Sequence, residues 1–302
     1  MGKLSKTSEG DNNQSLGPLY AVLAYGAWGL LPIYWKLFGR ISPVEVLSHR
    51  MIWSLVFLSG LLIWQQRLLE VRQLLRSRRR VGLLLLTALL LSFNWGLYIY
   101  GVNTDRVVET SLGYFINPLV SVLLGFICLR ERLYGGQVLA VALATAGVGY
   151  FVWQFGAVPW IALGLAFSFA FYGLLRKVVQ VAPMVGLVVE TALITPAVLL
   201  LMLYWAAIGQ GHFGTNWSVT LLFVGAGVMT SLPLLWFNNA AKRLRLSTLG
   251  FFQYLAPSIQ LLLGVLLYRE PFTLTHAVTF GLIWIALALY SVTSFLTRPG
   301  RR

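Results

Sequence analysis

Polar and apolar residues fall in long blocks along this chain rather than at the short spacing of an amphipathic helix or strand. Apolar runs of about twenty residues recur from end to end, and that is the length a helix needs to cross a hydrocarbon layer of roughly 30 Å. The pattern predicts an all-α polytopic membrane protein with about ten transmembrane helices. In the first half the expected spans are 18–38, 43–64, 81–100, 107–129 and 134–153; in the second they are 158–175, 183–205, 218–237, 246–268 and 272–295. Residues 1–16 form a polar tail with no apolar region of its own, which argues against a signal peptide. Residues 297–302 form a second tail, and a connector near Gly156 divides units 17–154 and 155–296.

The chain writes one stretch twice. Ser111-Leu112-Gly113-Tyr114-Phe115 leads to Asn117-Pro118, Gly125 and Arg130-Glu131; Thr248-Leu249-Gly250-Phe251-Phe252 leads to Pro257, Gly264 and Arg269-Glu270. The Pro to Gly to Glu intervals are the same in both copies. Five spans per half is an odd number, so the second half enters from the opposite side. Two inverted five-helix repeats follow, a construction that secondary transporters use for alternating access.

Lys and Arg set the orientation. Alternate connectors hold clusters such as Arg67, Arg72, Arg76, Arg78, Arg79 and Arg80, or Lys242, Arg243 and Arg245, whereas the other set holds only Lys36, Arg40, Arg106 and Arg269. The positive-inside bias therefore predicts cytoplasmic termini in a bacterial inner membrane. With 58% hydrophobic and 11% charged residues, the net charge of +14 reads as topology and not as a nucleic-acid surface. No Walker sequence, HExxH or acidic metal cluster occurs, so neither a cofactor nor a metal is expected. Cys128 is the single cysteine, which excludes an internal disulfide.

Ionisable groups within a span mark pathways or pairs. Arg50 lies seven residues into span two, about 10 Å deep at 1.5 Å per residue. His49 is beside it, and Glu190 lies equally far into span seven. These three are candidates for a central cavity, with Arg50 and Glu190 paired to each other or gripping a zwitterion, and His49 or Glu190 carrying a proton. The bland alternative gives Arg50 to the headgroups and Glu190 to a Lys or Arg at the inner surface. Glu45 fits a capping box with Ser42 and Pro43, and its i,i+4 spacing also puts it on the face of His49.

Pro118, Pro257 and Pro233 are expected helix kinks, because each removes an amide donor and releases a carbonyl. Tyr114, Asn117, Gln253 and Tyr254 gather near Pro118 and Pro257, and with Asn94 and Tyr98 of span three and Asn238 after span eight they complete the candidate pathway for a substrate or coupling ion. Trp64, Trp153, Trp205 and Trp217 read as interface anchors. Arg130-Glu131 and Arg269-Glu270 read as solvated helix-end charges, with gating salt bridges as the alternative. The small residues Ala140, Ala142, Ala144, Ala146 and Gly147 permit close packing, either within the protomer or in a homodimer.

The run from Ala24-Tyr25-Gly26-Ala27-Trp28-Gly29 through Pro32-Ile33-Tyr34-Trp35-Lys36, with Ser42-Pro43 and Ser48-His49-Arg50, resembles the RarD proteins. These belong to the EamA group of the drug/metabolite transporter superfamily, and the duplicated motif resembles that superfamily's repeat. The resemblance implies a ten-span inner-membrane permease with a central cavity, whose relatives export amino acids and other metabolites and carry a link to chloramphenicol sensitivity. The expected function is export of small metabolites or amphiphilic drugs, with the bilayer and a small-molecule substrate as partners. A membrane-embedded enzyme using Glu190 or His49, or a receptor or assembly protein, is the alternative.

Overall fold

A computed structural model describes residues 6–130, 135–244 and 252–296. Lys3, Glu131, Arg132, Arg245, Thr248, Leu249, Gly250, Phe251, Arg298, Arg301 and Arg302 lie outside the described residues. The first half contains α1 (Lys6–Lys36), α2 (Pro43–Trp64), α3 (Leu68–Leu75), α4 (Arg78–Asn103), α5 (Val107–Leu129) and α6 (Gly135–Phe155). The second contains α7 (Trp160–Val179), α8 (Pro183–Ala207), α9 (Trp217–Arg243), α10 (Leu255–Leu262) followed by a π-helical turn at Leu263–Leu267, and α11 (Leu274–Leu296). Among the described residues nine helices are long and apolar enough to cross a membrane, and the apolar segment Leu255–Leu267 is a shorter tenth. Helices are what such a sequence must form, because only a helix satisfies its backbone within one segment where water is absent.

Packing follows a two-fold exchange between inverted halves. Helix α1 rests on α9 and α10, and its counterpart α7 rests on α4 and α5; α2 meets α8, and α6 meets α11. The backbone repeats the relation, since Arg130 and Arg269 both end their helices left-handed at φ 54°. Lipid competes for apolar side chains, so close backbone approach has to supply much of the adhesion. A Cβ on Gly113 would lie 2.7 Å from the Ala162 carbonyl oxygen, and one on Gly227 would lie 2.4 Å from the backbone of Trp53. Ala140, Ala144 and Gly147 are buried, with Gly147 against α11, where the Thr279 hydroxyl donates to the Gly147 carbonyl at 3.4 Å. That part of the small-residue stripe serves the protomer's own packing, while Ala142 and Ala146 stay exposed.

Two local expectations change. The basic connector after span two contains the amphipathic α3, whose Leu74 is buried while Arg67 pairs with Glu70 at 2.6 Å. In the described part of span nine Pro257 does not kink a helix: Gln253 and Tyr254 form a turn and α10 begins at Leu255, which puts Pro257 in the first helical turn where an absent N–H costs no helical bond. Pro118 and Pro233 do lie inside continuous helices, as does Pro32 of α1, which the sequence reading did not single out.

Candidate functional site

Arg50 follows His49 directly in α2 and has only 4% of its surface exposed. Its guanidinium carbon lies 4.0 Å from the Trp95 ring centroid and 5.0 Å from that of Trp35. Tyr98 and Tyr114 interact with it electrostatically, and their own rings meet edge to face at 5.7 Å. Nε and Nη1 of Arg50, Nε1 of Trp35 and Oη of Tyr98 are buried without a hydrogen-bond partner among the described residues. Trp35 and Tyr98 share one apolar cluster with Phe223 and Ala226 of α9 and with Ile161 and Leu165 of α7. The nest therefore lies where the first repeat meets the second.

The energetics of that nest are unbalanced. A desolvated cation–π contact contributes about 2 kcal/mol, whereas a buried charge without a counter-ion costs several kcal/mol. Two indoles offset only part of that penalty. Indole also has no acceptor atom, so neither tryptophan satisfies a guanidinium N–H.

Toward the Lys36 end, three contacts close the bundle. His49 is stacked with Phe223 at 3.9 Å and Phe213 at 4.9 Å. Glu45 does not reach back to its own helix start. Its two oxygens accept the backbone N–H of His212 and face the His212 Nδ1, each at 2.7 Å, while the Ser42 hydroxyl alone caps the Val44 amide at 3.3 Å. The long α8–α9 connector thus docks on α2, and two donors from one residue outcompete a single capping amide. Lys36 pairs with Asp105 and lies over the Tyr268 ring at 4.2 Å.

Glu270 corrects the solvated reading of its motif. It is 8% exposed and accepts the Val107 and Val108 amides at 2.7 and 2.8 Å, capping α5 of the opposite repeat. Burial pushes its carboxyl above the ordinary range, and the two amides pull it back only in part. A carboxylate is at home there, because the first amides of a helix have no partner within it and carry partial positive charge. Arg269 is exposed, as is Arg130 in the first copy.

Glu190 belongs to a second cluster, apart from Arg50. Its oxygens accept the Thr87 hydroxyl at 2.7 Å and the Tyr172 hydroxyl at 3.3 Å, and Arg176 Nη1 lies 3.4 Å away. The expected alternative of an Arg50–Glu190 pair is therefore not formed, since the end of α7 supplies a nearer cation. Trp95 connects the two clusters: it lies under Arg50 and also lines a small, partly open cleft with Met51, Ser92, Glu190 and Thr191.

The remaining candidates divide by role. Asn94 donates to the Leu165 carbonyl at 3.0 Å and the Ser168 hydroxyl at 2.9 Å, and Asn117 donates to the Ala166 carbonyl at 3.0 Å. Both carboxamides thus hold α7 in place. Tyr254 stacks on Phe115 at 6.3 Å, while Asn238 and Gln253 are half-buried. Sequence reasoning missed Trp35, Trp95 as a cation partner, Thr87 and Tyr172, whereas the Glu190–Arg176 pair is of the kind its alternative named, a carboxylate held by a nearby Lys or Arg. Trp35 lay within the motif that carried the resemblance, but no spacing rule ties it to Arg50.

The EamA-like transporter family matches this chain twice, over residues 15–153 and 157–292. An "Uncharacterized transporter" of Vibrio cholerae is 48% identical over 277 residues, covering 91% of this chain and 92% of that protein. "Protein RarD" of Escherichia coli K12 is 44% identical over 283 residues, covering 93% and 96%. The "Chloramphenicol-sensitive protein RarD" of Pseudomonas aeruginosa is 28% identical over 292 residues, covering 95% and 97%. A solved crystal structure shares the fold at TM-score 0.61 and 19% identity, over 95% of this chain and all of the other.

Proposed function

The chain belongs to the EamA-like transporter family, and on that footing we propose that it is a secondary transporter exporting small metabolites or amphiphilic drugs through the Arg50 nest by alternating access. The observation that carries this reading is the buried, unpartnered polar group of Arg50, Trp35 and Tyr98 beside the contact between two inverted repeats. A polar group left unsatisfied inside a membrane protein is expensive, and a pathway that takes up solute explains why one is kept. The pairs at the Lys36 end, together with Glu270 on α5, act as the gate of that end. Glu190 in its own cleft is the group suited to carry a coupling proton.

The segregation of Lys and Arg supports an inner-membrane location with both termini cytoplasmic, which makes the Lys36 end the outer one. Chloramphenicol, to which one relative's name calls it sensitive, is one member of the amphiphilic drug class to offer. The test is flux in proteoliposomes that contain only this protein, with amino acids, aromatic metabolites and chloramphenicol offered with and without an imposed pH step. Saturable flux of one class is the expected result. Leak rates equal to those of empty liposomes for every solute would remove the reading.

A further inference from the structure

We propose that Arg50 docks the carboxylate of a monoanionic substrate with an uncharged aromatic or apolar body, an inference that rests on the nest being the binding site of the transport reading above. Every unsatisfied nitrogen in the nest is a donor: Nε and Nη1 of Arg50 and Nε1 of Trp35, with the unpartnered Tyr98 hydroxyl beside them. A carboxylate is the complementary group, since it only accepts and takes two parallel bonds from a guanidinium edge. Arg50 forms no ion pair or hydrogen bond among the described residues, so one cation awaits one negative charge. The walls are the rings of Trp35, Trp95, Tyr98 and Tyr114, which suit an apolar or aromatic body.

A second charge on the substrate finds no counter-charge. The three buried carboxylates among the described residues are engaged elsewhere: Glu45 with His212, Glu190 with Arg176, Glu270 with the α5 amides. Lys36, the cation nearest in sequence to Trp35, is already paired with Asp105. A zwitterion brings an unmatched ammonium, and a dianion an unmatched negative charge. The site thereby selects net charge as well as shape.

The experiment is isothermal titration of the purified full chain at pH 7 with phenylacetate, phenylacetamide, phenethylamine and phenylalanine. Phenylacetate is expected to bind at least tenfold more tightly than each of the others. Arg50→Lys, which keeps the charge but loses the fork, is expected to weaken phenylacetate tenfold or more, and Arg50→Gln to abolish its binding. Absence of phenylacetate binding by the unsubstituted protein overturns the proposal, as does equal binding of the amide, the amine or the zwitterion. These comparisons need no variant, so misfolding of one does not blur them. Flux of the same four probes is read separately in proteoliposomes. Phenylacetate binding without flux removes the transport reading and keeps the anion site; flux of phenethylamine or phenylacetamide without phenylacetate binding does the reverse.

Discussion

The Glu190 carboxylate is paired with Arg176, Oε1 to Nη1 at 3.4 Å, across the turn that joins α7 to α8. Glu190 is 1% exposed, so this ion pair and the Thr87 and Tyr172 hydroxyls are what hold a carboxylate inside the bundle. Removing one partner of a buried pair leaves the other charge uncompensated and costs about 3–5 kcal/mol. Arg176→Gln is expected to destabilise by that amount, and the double variant with Glu190→Gln to recover part of it. Unfolding in mixed micelles measures both. Strictly additive losses would show that the two residues are not coupled.

Glu270→Ala leaves the buried Val107 and Val108 amides without an acceptor, at about 1–3 kcal/mol for each orphaned group. The start of α5 is then expected to part from the second repeat. In a Cys128→Ala background, a Val107→Cys probe, fully buried in the parent, should react with a water-soluble maleimide several-fold faster once Glu270 is removed. An unchanged labelling rate would mean that the carboxylate does not hold that end shut.

Gly227 faces the backbone of Trp53, which has no rotamer with which to yield. Gly227→Ala should force α9 away from α2 and cost about 1–3 kcal/mol. Gly26→Ala adds its methyl to open space, and should be neutral or stabilising by up to about 1 kcal/mol as a helix substitution. Equal melting temperatures for the two variants would contradict the close contact of α2 with α9.

Asn94→Ala removes both hydrogen bonds from its amide to α7, leaving the Leu165 carbonyl only the Ser168 hydroxyl at 3.3 Å as a side-chain donor, with an expected loss of about 1–3 kcal/mol. Asn94→Asp, which replaces the donating amide by acceptors, should be worse than alanine. Thermal unfolding ranks them, and the reverse order would assign Asn94 to solute contact instead of helix adhesion.

The sequence by itself determined the class, the number of crossings and the inverted duplication, because each follows from local quantities: the length of an apolar run, the parity of the spans, the recurrence of one motif. It also marked Arg50, Tyr98, Tyr114 and Glu190 as unusual, since polarity within an apolar run is visible one residue at a time. Only the tertiary structure decided who meets whom. It gave Glu190 to Arg176, Glu45 to His212 and Glu270 to the α5 amides, and it left Arg50 between two tryptophans with no counter-charge among the described residues. Those choices depend on which helix faces which across tens or hundreds of residues. The physical reason is that pairing energy falls off within a few ångströms, whereas sequence spacing reports distance only along a single helix.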